Sequence, residues 1–225
     1  MSDGVIYAGM VPASTAQPGL EKVEWVHQLL AEPGQHIVLA CAASKPEPGA
    51  DPDHLFLGLL RQDIIRDVMF LFHPETGLFH ALIAMGSDVC GHPCTVHGGF
   101  TSAVIDETTG GLVFSLKKNN KLGPGPAFTV RLEVDYKKPI PAESEIVCTA
   151  KVDSVEGRKV WVSAEVMDRP GGVVYASGRA LYVTPRQYVE QQANGTKQEQ
   201  QQPQPQRAAG FQQELQQPSA ANGAH

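Results

Sequence analysis

The chain has 225 residues, 42% of them hydrophobic and 19% charged, and a net charge of −6. Both fractions sit below the globular norms of roughly 45–50% apolar and about 25% charged, as expected for a folded core diluted by uncharged polar sequence. No run approaches the ~20 apolar residues of a membrane helix, and no region carries the basic excess used for nucleic acid: residues 1–60 hold −5, 61–190 hold −1 and 191–225 hold zero.

Along the chain, the start Met1-Ser-Asp-Gly has neither the basic, apolar opening of a secretory signal nor the Arg-rich look of a transit peptide. With four cysteines, too few for a disulfide scaffold, a reducing, cytoplasmic compartment is expected. Leu20 to Leu30 reads as a helix: Leu20, Val23, Val26 or His27 and Leu30 recur at helical spacing, Trp25 and Leu29 widen the stripe, and Pro33-Gly34 stop it. Its expected role is to cover a sheet. A proline-rich break over 45–52 separates it from the strand-rich remainder of the chain.

Strands then take over. Ile64–Phe72 and Leu78–Met85 flank a Pro/Gly turn and predict a hairpin. Thr129–Tyr136 alternates strictly, with Val130, Leu132, Val134 and Tyr136 on one side and Thr129, Arg131, Glu133 and Asp135 on the other. That predicts a strand with one buried face. Glu145–Val155, Lys159–Val166 and Val173–Val183 come next, joined by Glu156-Gly157 and Asp168–Gly172. Between the strand groups lies one helix, from about Gly98 to Gly110 or beyond. Two strands, a helix and four strands predict an α+β antiparallel sheet packed on one helix. The expected division is an N-terminal helical and loop extension over 1–59, the sheet-and-helix domain over 60–187, and a tail over 188–225. Twelve of the residues 191–225 are Gln, and that tail is expected to be a disordered, solvated extension.

The chemistry concentrates at the helix start, Val96-His97-Gly98-Gly99. Paired glycines there let a ligand approach the backbone, and the free amides with the positive end of the helix dipole stabilise a developing oxyanion. Asp106 lies seven residues beyond Gly99, on the same helix face but about 10.5 Å along the axis. One reacting carbon cannot touch both the amide and the carboxylate of one helix. If both act in one reaction, the carboxylate comes from a second copy, which predicts a homodimer with antiparallel central helices. The structural alternative is a tight turn at the glycines and a buried, hydrogen-bonded acid at Asp106. Cys90-Gly-His-Pro-Cys94 with His97 has Cys-x3-Cys spacing and no second pair nearby, so no metal is expected.

His97-Gly-Gly followed by Asp106, then Tyr136-Lys-Lys-Pro-Ile-Pro141, Val155-Glu-Gly-Arg-Lys159 and Ala180-Leu-Tyr-Val183, resembles the hotdog-fold acyl-coenzyme A thioesterases of the phenylacetate-degradation type. It is similar to the eukaryotic thioesterase superfamily branch with mitochondrial and cytosolic members. The resemblance covers about residues 61–185. It implies a hotdog fold, a long central helix wrapped by an antiparallel sheet of about six strands, assembled into dimers and often tetramers. It implies hydrolysis of a fatty or aryl acyl-CoA to free acid and CoA, without metal or cofactor. Asp106 would be base or nucleophile. The amide of Gly98 or Gly99 would polarise the carbonyl, His97 would orient the loop or the acyl group, and Thr129 would assist Asp106. Some relatives carry an Asn shortly before His-Gly-Gly; residues 86–96 have none, and His92 is the candidate for that contact. Lys137, Lys138, Arg158 and Lys159 are the candidates for the CoA phosphates. Phe100, Val104, Phe128 and the N-terminal helix are candidates for setting pocket depth. The alternatives are a non-hydrolytic acyl-CoA- or lipid-binding scaffold and a hotdog hydratase or dehydratase.

Overall fold

The computed structural model describes residues 11–12, 20–34, 36–40 and 55–188. The proline-rich break and the Gln-rich tail lie outside the described residues. In chain order the elements are β1 (Val11–Pro12), a 3-10 turn (Leu20–Lys22), α1 (Glu24–Leu30), β2 (His36–Ala40), α2 (Leu55–Arg61), β3 (Ile65–His73), β4 (Leu78–Met85), β5 (Cys90–His92), β6 (Thr95–Val96), α3 (Gly98–Lys118), β7 (Phe128–Tyr136), β8 (Glu145–Glu156), β9 (Lys159–Met167) and β10 (Val174–Val183). The six expected strands are all present. With β1 and β2 they form one eight-stranded antiparallel sheet in the order β1-β2-β3-β4-β8-β9-β10-β7, with β5 and β6 a separate ribbon. The sequence did not reveal that β2 extends this sheet on β3, nor α2, nor the ribbon.

Helix α3 is the centre. His97 caps it: its backbone is extended and its Nδ1 accepts the Gly99 amide at 2.8 Å. Its buried face is Thr101, Val104, Ile105, Thr108, Leu112, Val113 and Leu116, spaced by threes and fours as a helix stripe must be. The helix runs 21 residues, well past the point where Thr108, Thr109, Gly110 and Gly111 look like breakers. The threonine hydroxyls are satisfied inside the helix, donating to Val104 O at 2.6 Å and Ile105 O at 2.8 Å. Gly111 lies under the Phe79 ring, where a Cβ would approach Cζ to 2.5 Å, and Gly178 of β10 faces Ile105 with 2.6 Å available. Both glycines let helix and sheet close to contact distance. Lys117 and Lys118 in the last turn suit the negative end of the dipole.

The sheet has two differently covered faces. Phe70, Phe72, Phe79, Ile83, Ile146, Val162 and Ala180 pack with α3. Met69, Leu71, Leu82, Ala84 and Val147 lie on the opposite face under Leu20, Val26 and Leu29 of the 3-10 turn and α1. The N-terminal helix therefore covers the sheet, as its stripe predicts. Each such fully buried aliphatic or aromatic side chain contributes roughly 1.5–3 kcal/mol. The buried Asp67 carboxylate fixes the approach of this segment by accepting the Leu20 amide at 3.0 Å and its neighbour Val68 N–H at 2.9 Å. No helix among the described residues is long and apolar enough to cross a membrane.

Strand β7 departs from the sequence expectation in two ways. It is the last strand of the sheet among the described residues, and its inner face is only partly covered: Leu132 and Val134 pack half-buried against the core, while Phe128, Val130 and Tyr136 are 57%, 58% and 57% exposed. Its alternation is also broken. Register with β10 shifts between Leu181 and Tyr182, so that Arg131 opposes Leu181 while Thr129 opposes Tyr182. Val130 is the extra residue of a bulge, and Thr129 turns to the helix side that strict alternation denied it.

Candidate active site

The bulge brings Thr129 to Asp106. The Thr129 hydroxyl donates to Asp106 Oδ1 at 2.9 Å. Asp106 is half-buried on α3 and forms part of the wall of a cavity of about 710 Å³. The cavity runs between the C-terminal half of α3 and the segment 124–129, with Val113, Phe114, Pro126, Ala127 and Phe128 as apolar walls. Lys117 closes its far end. The Lys117 ammonium donates to Gly123 O at 2.6 Å and Thr184 Oγ1 at 2.8 Å, and burial lowers its pKa. Of the depth-setting candidates only Phe128 lines this cavity. Phe100 instead stacks on Phe56 of α2 with ring centroids 6.1 Å apart, Val104 is in the core, and α1 is on the other face of the sheet.

The N-terminal turn of α3 is a separate place. Gly98 lines a second cavity of about 310 Å³ with Thr101, Tyr136, Lys137, Lys138 and Ile140. Tyr136 ties the turn to β7: its hydroxyl donates to Gly98 O at 3.0 Å and lies 2.6 Å from Ser102 Oγ. The Gly99 amide is occupied by the His97 cap, so Gly98 carries the N–H left for a ligand among the two glycines. His97 is exposed and spends Nδ1 on that cap. Gly98 and Asp106 are eight residues apart, about 12 Å along the axis. Within one chain the structure does not bring amide and carboxylate together.

The basic candidates also separate. Lys137 and Lys138 lie just after β7 at the Gly98 end, where both backbone amides donate to Tyr175 O. Arg158 and Lys159 sit at the β8–β9 turn at the opposite end of the sheet, with Arg158 Nη1 donating to Thr184 O at 3.3 Å. His92 is exposed on the β5–β6 ribbon and does not line either cavity. Cys90 and Cys94 are free, exposed thiols on the same ribbon. Among the described residues no group of three or more His, Cys, Asp or Glu is placed to hold a metal ion.

Two residues at these places have no role that sequence reasoning could assign. Ser102, one turn from Gly98, had no signal beyond helical spacing. Tyr182 lies 76 residues from Asp106, and its hydroxyl reaches Asp106 Oδ1 at 3.3 Å and Asp106 O at 3.0 Å.

A long capped helix wrapped by an antiparallel sheet is the architecture of a hotdog domain. Residues 95–175 match the family described as Thioesterase superfamily. The mouse protein named acyl-coenzyme A thioesterase THEM4 is 34% identical over 103 residues, which are 46% of this chain and 41% of the mouse protein. The chain thus matches well under two thirds of that relative's length. A fission-yeast protein named uncharacterized protein C26H8.11c is 29% identical over 63% of this chain and 80% of its own length. The crystal structure of zebra fish thioesterase superfamily member 2 covers 60% of this chain and 90% of its own, at 17% identity and a TM-score of 0.47.

Proposed function

We propose that the protein hydrolyses acyl-CoA thioesters and works as a homodimer. The observation that carries this is the Asp106 carboxylate, held by Thr129 on the wall of an apolar cavity. The mouse relative's name points to the same activity. In the reaction the Gly98 amide of one protomer polarises the thioester carbonyl, and Asp106 of its partner either takes a proton from the attacking water or attacks the carbonyl carbon itself. The new C–O bond forms, the C–S bond breaks, and CoA leaves as thiolate and takes up a proton that originates from water; where Asp106 is the nucleophile, water then cleaves the acyl–Asp106 anhydride to free acid and restores the carboxylate. The fatty or aryl tail lies along the Phe114 and Phe128 walls.

The dimer is argued from β7. A free edge strand with exposed apolar side chains is a template for a second copy. Antiparallel pairing of two such edges sets the two α3 helices antiparallel, so each Gly98 turn comes beside the partner's Asp106. It also brings Lys137 and Lys138 of one chain to the same end as Arg158 and Lys159 of the other, where a CoA phosphate group would find both pairs. The exposed free thiols Cys90 and Cys94 support a reducing compartment such as the cytoplasm.

The test is thiol release from a panel of aliphatic and aryl acyl-CoAs by wild type and Asp106→Asn. Loss of the acid/base group is expected to lower kcat by about 10²–10⁴-fold. Equal rates for the two proteins, or acyl-CoA binding without turnover, would refute hydrolysis at Asp106.

A further inference from the structure

Asp106 has a second partner besides Thr129. The Tyr182 ring is 4% exposed on β10. Its hydroxyl lies 3.3 Å from Asp106 Oδ1, 3.0 Å from Asp106 O and 2.9 Å from Thr109 Oγ1. A phenol has one proton to give. Thr109 directs its own proton into the helix, to Ile105 O at 2.8 Å. The Asp106 carbonyl is inside α3, where the helix ladder supplies an amide four residues on. Oδ1 is the only charged acceptor of the three, and a charge-assisted bond is the strongest available. Burial, foremost, pushes the Tyr182 phenol up to about 12, and the nearby Asp106 charge pushes the same way. The group therefore stays a donor across the working pH range.

Thr129 and Tyr182 thus both address Oδ1, from β7 and β10. Among the described residues no donor is found on Oδ2. A carboxylate tied to the sheet through one oxygen has its orientation fixed, and its other oxygen is left without a donor among the described residues, on a side chain that lines the cavity.

We propose that Tyr182 is a positioning residue: with Thr129 it ties Oδ1 to the sheet, so that Oδ2 is the oxygen that meets water or the thioester carbon. This rests on the hydrolysis proposed above. Tyr182 also lines the cavity, but the role assigned to its hydroxyl is exercised through Asp106.

The test compares wild type, Tyr182→Phe, Thr129→Val and the double variant in acyl-CoA hydrolysis, with Asp106→Asn in parallel. Tyr182→Phe keeps the buried ring and removes the donor. The expected result is a kcat about tenfold or more lower with KM little changed. The two single effects should combine non-additively, since both act on one oxygen. A Tyr182→Phe protein with wild-type kcat overturns the proposal. So does one whose rate falls only with its folded fraction, measured by circular dichroism. If Asp106→Asn is inactive in either case, hydrolysis at Asp106 survives and only the Tyr182 assignment is lost. If Asp106→Asn is as active as wild type, the hydrolysis reading itself fails.

Discussion

Helix α3 carries two polar stations, and they differ in almost every respect. At its first turn the groups are main-chain: His97 caps, Tyr136 holds the Gly98 carbonyl, and the adjoining cavity is about 310 Å³ with Lys137 and Lys138 on its wall. Two turns on, the group is a carboxylate, gripped through one oxygen by Thr129 and approached by Tyr182, on an apolar cavity of about 710 Å³. Each station is tied to the sheet by a tyrosine from a different strand. Each supplies what the other lacks: one offers N–H polarity without an anion, the other an anion without a free amide. A helix is rigid, and about 12 Å along one axis cannot be closed by side-chain motion. If both stations act in one reaction, as proposed above, the pairing comes from a second helix.

The two stations are separated most severely by a change in the strand that would join two copies. Val130→Lys puts a charge at an exposed apolar position of β7, where a partner would have to bury it unpaired. The expected outcome is a monomer by analytical ultracentrifugation and the loss of thiol release by about 10²-fold or more. A monomeric variant with full activity would end the two-chain site.

A smaller and more selective change removes the amide alone. Gly98 is the first helical residue, and the preceding His97 already has φ −64° and ψ 133°, a conformation that a following proline accepts. Gly98→Pro should keep α3 and the dimer while deleting one N–H, lowering kcat about 10²–10³-fold as the loss of one oxyanion donor does. Mixed and reassembled with Asp106→Asn, it should recover activity, because half of the sites in each heterodimer are intact. Two inactive variants that stay inactive after mixing would place both stations in one chain's reaction.

The smallest effect belongs to neither station and serves as their control. His80 lies on the outer face of the sheet, 6% exposed, bonded to Thr149 at 2.9 Å. Burial, with the nearby His73 charge, lowers its pKa to about 4. The unfolded chain takes up this proton near 6.5 and the folded one only near 4, so the unfolded state binds more protons in between. Stability should therefore fall as pH drops from about 6.5 to about 4, by at most about 3 kcal/mol, and level off below. Denaturant midpoints of wild type and His80→Gln across that window measure it. The variant should show a flatter acid slope, with kcat at neutral pH unchanged.

The six long strands, the central helix among them and its polar stations were legible in the amino-acid order alone. Those are local properties: period-two alternation, turn residues at fixed offsets, and paired glycines before a helical run. The rise per residue also dictates that Gly99 and Asp106 cannot meet within one chain. Packing over long stretches of chain set the rest. Thr129 faces Asp106 because a bulge opposite Leu181–Tyr182 shifts register by one residue, and a one-residue slip reverses which way every side chain points. α3 runs on through Thr108–Gly111 because Phe79 packs over Gly111 and the threonine hydroxyls bond within the helix. Tyr182 reaches Asp106 across 76 residues of chain, a distance over which no spacing rule acts. Local pattern fixes which face a side chain should take; only the packed sheet fixes where the pattern is broken, and here the break is where Thr129 meets Asp106.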